Sequence, residues 1–374
     1  MTWPMKRGDN GRVKTLRLTL DPAHPDTASE TLEAAAALLR RGGLVALPTE
    51  TVYGLGANAL DAEAVGRIFT AKKRPSWDPV IVHIADLTML DGLVEEIPAA
   101  ARRLMDAFWP GPLTLLLRRT SRIPDAVTAG RPLVGVRMPA HPVALALIRQ
   151  AGVPVAAPSA NLFSHISPTS AAHVLADLDG RIDAILDAGP AEHGVESTVV
   201  DPTVTPLRIY RPGAITLEEI QAIAGPAELH QHHGELVDGS QESEAQSRER
   251  AGLPSPGVGL RHYAPQARLI LIDAAASELP ARILEAAASW SPERIGVMLP
   301  GGVKTSCAGA VIYPWGRWNA PKEMARALYA GLRSLDEAGC TVILAPLPPA
   351  AGIGAAIRDR MRKAAFRTLT FKTS

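Results

Sequence analysis

Apolar positions along the chain follow two rhythms, a short continuous run and a three-to-four spacing, and the alternation of the two starts twice. Apolar runs at 13–20, 44–47, 80–82, 113–118, 133–139, 153–157 and 184–187 have strand length and are bounded by proline, glycine or polar clusters. Each is predicted as a strand. Between them lie stretches of helical spacing. Leu32, Ala35, Ala36 and Leu39 fall at i, i+3, i+4 and i+7, behind a capping box Thr27-Ala28-Ser29-Glu30 and ahead of Gly42-Gly43. That predicts an amphipathic helix with both ends marked. Further helices are predicted over 61–70, with Val65, Ile68 and Phe69 inward, and over 98–108, 142–150, 171–178 and 217–224, the last capped by Thr216. Segments 196–201 and 207–213 are predicted as paired strands closing this region.

The pattern lapses after Gly225. His230, His232 and His233 open a polar stretch that runs through Gln241-Glu242-Ser243-Glu244 to Arg250. Clustered histidines suit either a metal or a solvated linker, and the lack of other ligands at disciplined spacing favours the linker. Order returns at Ser255-Pro256-Gly257 and at Arg261-His262-Tyr263-Ala264-Pro265, where an aromatic held between prolines needs something to pack on. From Ala267 the rhythm restarts, with strands predicted at 268–272, 295–298, 310–313 and 341–344 and helices at 280–289, 321–338 and 354–366. Such alternation predicts a small parallel sheet flanked by helices. Gly352-Ile353-Gly354 fits either a phosphate cradle or a plain helix start. The chain is therefore divided into a domain over 12–225, a linker over 226–266 and a second domain over 267–374, and a length of 374 residues suits two α/β domains.

Composition narrows the function classes. Hydrophobic residues make up 47% and charged residues 21%, and the net charge is +1, so no overall field announces nucleic acid. Any such binding has to come from a local patch. No apolar run approaches the ~18 residues that span a bilayer, and Lys6 and Arg7 are followed by no apolar core segment. A cytoplasmic location without membrane contact is expected. The two cysteines, Cys307 and Cys340, are too few and too far apart to suggest a disulfide framework or a thiolate metal site.

Local chemistry is concentrated in one basic stretch, Lys72-Lys73-Arg74-Pro75-Ser76-Trp77-Asp78-Pro79, placed between a helix end and a buried-looking strand. Three adjacent cations there suit an anionic ligand or an ordinary helix end complementing the helix dipole. The loop Pro48-Thr49-Glu50-Thr51-Val52-Tyr53-Gly54-Leu55-Gly56 offers hydroxyls and backbone amides to an anion, or is simply a turn. His83 ends the strand after the basic stretch, as a ligand or as a satisfied strand histidine. Arg137 ends an apolar strand, where a guanidinium needs either a ligand or an internal carboxylate. Ser159 and Asn161 follow another strand, and Arg211 precedes a Pro-Gly turn.

These pieces together resemble one family. Pro48 to Gly56, Lys72-x-Arg74 with Pro75, Ser159-x-Asn161, Glu196-Ser197-Thr198, Arg211-Pro212-Gly213 and His262-Tyr263-Ala264-Pro265 occur in the order found in two-domain threonylcarbamoyl-AMP synthases, and the match covers nearly the whole chain. The resemblance implies an α/β fold. A YrdC-like twisted mixed sheet with flanking helices forms a basic concave pocket, and a smaller Rossmann-like parallel α/β domain follows. It implies formation of threonylcarbamoyl-AMP and pyrophosphate from L-threonine, bicarbonate and ATP, for threonylcarbamoyladenosine modification of tRNA.

Carried over by residue, Thr51, His83, Ser197 and the backbone near Ala157 would form the threonine side, with Arg137 and Arg74 able to reach its carboxylate. Lys72, Arg74, Asp78, Ser159, Asn161, Ser167, Arg137 and Arg211 would face the nucleotide, with the Leu133 backbone on the adenosine and Tyr263 on the linker closing over the site. Lys72, Arg74, Ser159 and Asn161 would carry the catalysis. Mg2+ is expected to arrive with ATP, held mainly by phosphates and water, with no tightly bound organic cofactor. Partners implied are the downstream tRNA threonylcarbamoyl transferase machinery and a weak RNA contact. The chain departs from the family at Lys73, commonly glycine, at Asp78, commonly asparagine, and at Phe163 and His165. Two rivals remain at this stage. One is a double-stranded RNA-binding or ribosome-assembly protein using the same concavity, with a steep salt dependence. The other is a carbamoyl-transferring maturation factor, disfavoured because its zinc-finger module would bring more cysteines.

Overall fold

The computed structural model describes residues 14–230, 262–305 and 307–371. They form two compact units. The first holds 14–163, 168–192 and 196–230, and the second holds 164–167, 193–195 and 262–371.

The first unit is built on β1 (Leu16–Thr19), β2 (Val45–Leu47), β3 (Gly54–Asn58), β4 (Val82–His83), β5 (Leu113–Arg118), β6 (Leu133–Arg137), β7 (Val155–Ala156), β8 (Ala184–Asp187), β9 (Thr198–Asp201), β10 (Leu207–Arg211) and β11 (Ala227–Leu229). They lie in the order β1-β8-β2-β3-β7-β4-β6-β5-β9-β10-β11. The sheet is mixed: β4 and β6 run parallel, β5 and β6 antiparallel, β5 and β9 parallel, and β9 and β10 antiparallel. Both faces are covered, as the period of two at β2 requires. Val45 and Leu47 join one core with Leu32, Ala35, Ala36 and Leu39 of α1 (Ser29–Arg40) and Val143, Leu147 and Ile148 of α5 (Pro142–Ala151). Leu44 and Ala46 join the other, with α2 (Ala62–Lys72), α3 (Ala99–Phe108), α6 (Ala171–Leu178) and α7 (Leu217–Ala224). A short helix, α4 (Asp125–Thr128), precedes β6.

Two local expectations are corrected here. Helix α1 starts one residue later than the Thr27 box would place it: a 3-10 turn over Pro25–Ala28 comes first, and the N-cap is Ala28 with no side-chain cap. The complete capping box is at α7 instead, where the Glu219 amide donates to the Thr216 hydroxyl at 3.2 Å and the Thr216 amide to the Glu219 carboxylate at 2.7 Å. The boundary at Gly225 also moves. Strand β11 pairs with β10 through Leu207↔Ala227, because Gly225 is only the turn that reverses the chain into one more strand.

The second unit is a parallel sheet of β12 (Arg268–Asp273), β13 (Ile295–Gly301), β14 (Val311–Arg317), β15 (Val342–Pro346) and β16 (Arg367–Thr370), ordered β14-β13-β15-β12-β16. Helices α8 (Leu279–Ser289), α9 (Pro321–Glu337) and α10 (Gly354–Ala364) flank it. Strand β16 was not expected: its polar pattern, Arg367-Thr368-Leu369-Thr370, lacks an apolar run, and only its pairing on β12 makes it a strand. His232 and His233 of the histidine cluster, and most of the linker, lie outside the described residues.

Candidate active site

Sheet order explains how the candidate residues are gathered. Neighbouring strands β4, β6, β5, β9 and β10 each bring a residue to the same end of the sheet: His83 ending β4, Arg137 ending β6, Thr114 in β5, Ser197 before β9 and Arg211 ending β10, while Ala157 follows β7, which runs antiparallel to β4, and lies opposite Ile81. His83 and Arg137 are direct parallel partners. Leu133 begins β6 and stands four residues before Arg137, about 13 Å away along a strand.

Arg137 is 4% exposed and each of its guanidinium nitrogens meets a group of the protein. It pairs with the Glu50 carboxylate at 2.6 Å and donates to the Thr51 hydroxyl at 2.9 Å and the Gly111 carbonyl at 3.1 Å. Of the two readings open at Arg137, the internal carboxylate is therefore present, and it is Glu50. Burial works against the Glu50 charge, but the Arg137 charge and hydrogen bond, with the Ala140 amide, outweigh it and hold the carboxyl below its ordinary range. Thr49 fixes the same loop by bonding the Thr51 hydroxyl at 2.8 Å and the Val52 carbonyl at 2.6 Å. His83 is pushed down to about 3 by burial and by the Arg137 charge, so it is neutral. Its Nδ1 has no hydrogen-bond partner among the described residues.

The basic stretch divides. Lys72 is the last residue of α2 and is buried, Lys73 is exposed, and Arg74 is buried again. This is not a solvated helix end. The Lys72 ammonium donates to the Ser159 carbonyl at 2.6 Å and the Asn161 carbonyl at 2.5 Å, tying α2 to the loop after β7. Burial, helped by the Arg74 charge, pushes the Lys72 ammonium well below its ordinary value, with Asp78 and Asp177 opposing. Arg74 pairs with Asp78 at 2.9 Å and donates to the carbonyls of Asp78 at 3.2 Å and Pro79 at 2.7 Å. Lys73 takes a left-handed conformation at φ 53°, the backbone a glycine adopts freely. Phe163 meets Trp77 edge-on at 6.4 Å, and its amide donates to the Lys72 carbonyl at 2.9 Å.

On the other flank, Arg211 donates to the Ser197 hydroxyl at 3.0 Å and carbonyl at 3.1 Å, and Thr114 shares a 2.8 Å hydrogen bond with that hydroxyl. The Pro-Gly turn after Arg211 is a steric necessity: a Cβ on Gly213 would lie 2.3 Å from the Thr198 amide nitrogen. Ser159 bridges Gly54, and the Asn161 amide donates to the Leu162 carbonyl at 2.8 Å. Ser167 and Tyr263 belong to the second unit, where the buried Tyr263 ring stacks on Tyr329 at 5.9 Å beneath the Arg360 guanidinium at 5.4 Å. Glu50 and Thr114 escaped the sequence reading. Glu50 carried a signal, an acid between two threonines in the ligand loop, and Thr114 a weaker one, a lone hydroxyl inside an apolar strand. Among the described residues, no group of three or more His, Cys, Asp or Glu side chains converges as a metal site.

A mixed α/β sheet presenting buried cations and hydroxyls, followed by a parallel α/β unit, is the architecture of a two-domain nucleotide-using enzyme. Two family models match the chain: residues 37–213 match the family described as "Telomere recombination", and residues 215–366 match "Threonylcarbamoyl-AMP synthase, C-terminal domain". The chain is 43% identical to the threonylcarbamoyl-AMP synthase of Pyrococcus abyssi, over 89% of this chain and 93% of that one. It is 42% identical to the threonylcarbamoyl-AMP synthase of Bacillus subtilis, over 94% and 98%. The solved structure of P. abyssi Sua5 complexed with L-threonine superposes with a TM-score of 0.83 at 39% identity, covering 95% of this chain and 99% of that one. The chain belongs to the threonylcarbamoyl-AMP synthase family.

Proposed function

We propose that this chain joins L-threonine, bicarbonate and ATP into threonylcarbamoyl-AMP, releasing pyrophosphate, and so supplies the activated group for threonylcarbamoyladenosine in tRNA. The carrying observation is the row of polar ends on adjacent strands, His83, Arg137, Thr114, Ser197 and Arg211, and a second buried cation, Lys72, held by the Ser159 and Asn161 carbonyls, supports the reading. Every reactant is an anion or becomes one as the carbamate forms. The site's first task is to hold like charges together, and preorganised cations in a dry setting do this without reorganising.

Threonine is assigned to the Thr51, His83, Ala157 and Ser197 side, where a neutral imidazole and fixed hydroxyls can orient its polar groups. Arg137 is pinned by Glu50, so it acts as a rigid donor and as the group that fixes the Thr51 hydroxyl. ATP is assigned to Lys72, Arg74, Asp78, Ser159, Asn161, Ser167 and Arg211. A triphosphate beside Lys72 would stabilise the ammonium that burial disfavours. The carbamate oxygen attacks the α-phosphorus and pyrophosphate leaves, so the protein's part is positioning, worth up to ~7–11 kcal/mol in ordered encounters. No protein nucleophile is required. Mg2+ is assigned to the triphosphate itself, because Glu50 and Asp78 are already committed to arginines. When bound it would neutralise phosphate charge. The burial of Lys72, Arg74, Arg137 and Arg211, each under 8% exposed, suits a small enclosed anion better than the backbone of an RNA duplex.

The test is pyrophosphate release from ATP by the purified chain, with threonine and bicarbonate each omitted in turn. Release that requires both establishes the reaction. Release without threonine, or none across magnesium concentrations and pH, removes the reading.

A further inference from the structure

Two hydroxyls on the side assigned to threonine, Thr51 and Ser197, are each 1% exposed, and a count of their hydrogen bonds fixes where each proton points. A hydroxyl carries one proton and two lone pairs, a guanidinium only donates, and a carbonyl only accepts. Thr51 lies within a chain that has such ends. Arg137 Nη1 donates to the Thr51 hydroxyl at 2.9 Å, that hydroxyl meets Thr49 Oγ1 at 2.8 Å, and Thr49 Oγ1 meets the Val52 carbonyl oxygen at 2.6 Å. The last contact takes the Thr49 proton. Thr51 therefore supplies the proton between the two threonines, while Thr49 also accepts the amides of Thr51 and Val52 at 3.2 Å each. What Thr51 has left for a ligand is one lone pair.

Ser197 has the opposite polarity. Thr114 is fully buried, and its hydroxyl has one partner among the described residues, Ser197 at 2.8 Å. A buried donor without an acceptor is costly, so Thr114 gives its proton to Ser197. Arg211 Nη2 donates to the same oxygen at 3.0 Å. Both lone pairs of Ser197 are then filled, and its own proton has no acceptor among the described residues. The pairing Leu115↔Val136 between β5 and β6 brings Thr114 level with Arg137, so the two sets of hydroxyls stand on adjoining strands of the first unit.

We infer that the pocket reads threonine by opposed polarity: Thr51 accepts an N–H of the substrate amine, and Ser197 donates to an oxygen of its carboxylate. Thr49 and Thr114 are the positioning residues that set the two protons. Charge agrees with this orientation, because Glu50 offsets Arg137 beside Thr51, whereas Arg211 stands directly on Ser197. The substrate nitrogen keeps one N–H after it becomes a carbamate, so the Thr51 bond lasts through the reaction. This deepens the synthase reading and rests on it for the identity of the ligand.

The experiment measures binding to the full-length chain by calorimetry, with L-threonine and with its deaminated analogue, for wild type, Thr49→Val and Thr49→Ser. Thr49→Val removes the acceptor of the Thr51 proton and frees that proton to turn towards the ligand. L-Threonine should then bind about tenfold more weakly, the scale of one lost charge-assisted hydrogen bond, while the analogue without an amine changes by less than about twofold. Thr49→Ser, which keeps the hydroxyl, should match wild type for both ligands within about twofold. An equal loss for both ligands, which is what a loosened loop gives, overturns the inference, and so does no loss for either. Neutron diffraction from deuterium-exchanged wild-type crystals reads the protons themselves: the Thr49 deuteron is expected towards Val52, that of Thr51 towards Thr49, and that of Ser197 away from Thr114. A Thr51 deuteron directed away from Thr49, or a Ser197 deuteron directed at Thr114, overturns the inference. If wild type binds no L-threonine, the synthase reading fails separately, and the deuteron positions still decide the polarity of the two hydroxyls.

Discussion

At the scale of single residues, two side chains depart from what their backbone or burial favours, and each gives a measurable cost. Lys73 closes α2 in the left-handed region, which costs a residue with a Cβ roughly 1–2 kcal/mol. Part of that returns with glycine as extra freedom in the unfolded chain. Lys73→Gly should therefore raise unfolding free energy by about 0.5–1 kcal/mol in denaturant melts. A loss of stability would mean that the exposed ammonium contributes more than the strained backbone costs. His83 is neutral because burial and Arg137 depress it to about 3. Its unfolded counterpart gains a proton near 6.5, so the stability tied to neutral His83 is complete above that pH and is lost as the pH falls towards about 3. Between pH 6.5 and 5, wild type should lose up to about 1.4 kcal/mol per pH unit more than His83→Gln. Parallel curves for the two proteins would place a proton on His83 in the folded state.

At the scale of elements, the strand ends matter more than the helices, since five adjacent strands deliver one polar group each. Thr114 shows what this arrangement adds: its hydroxyl bonds Ser197 from the neighbouring strand, and Thr114→Val keeps the shape while removing the bond. The expected outcome is a rise in KM for threonine of about fivefold, matching a neutral hydrogen bond of ~1 kcal/mol, with folding retained. An unchanged KM would show that Arg211 alone suffices to hold Ser197. The same elements mark how far sequence reading reaches. Period and run length locate β2, β5, β6 and α1 because burial on two faces leaves a direct trace in the order of residues. The basic stretch and the Arg211 turn were legible because cations and prolines are out of place next to apolar strands. Glu50 as the partner of Arg137 was not legible, since it depends on β6 ending opposite a loop 87 residues earlier in the chain. Strand β16 stayed hidden for a related reason. Its place in the sheet comes from its pairing on β12.

At the scale of the whole molecule, the charge distribution separates a small-anion site from a polyanion surface. The net charge is +1, and the four cations assigned to the pocket are buried, two of them paired with Glu50 and Asp78. Bulk ions screen exposed charges over about 8–10 Å but reach buried pairs much less. A protein that binds a nucleic-acid backbone through six to ten exposed phosphate contacts loses roughly 10³–10⁵ in affinity between about 50 and 200 mM salt. Over that same range, KM for ATP in this chain should rise no more than about threefold, because what salt weakens is only the approach of the nucleotide. The measurement is a salt titration of pyrophosphate release at saturating threonine and bicarbonate. A slope as steep as that of a phosphate-backbone binder would mean that exposed cations dominate nucleotide capture, and Lys73, the exposed member of the basic stretch, would then be the residue to substitute.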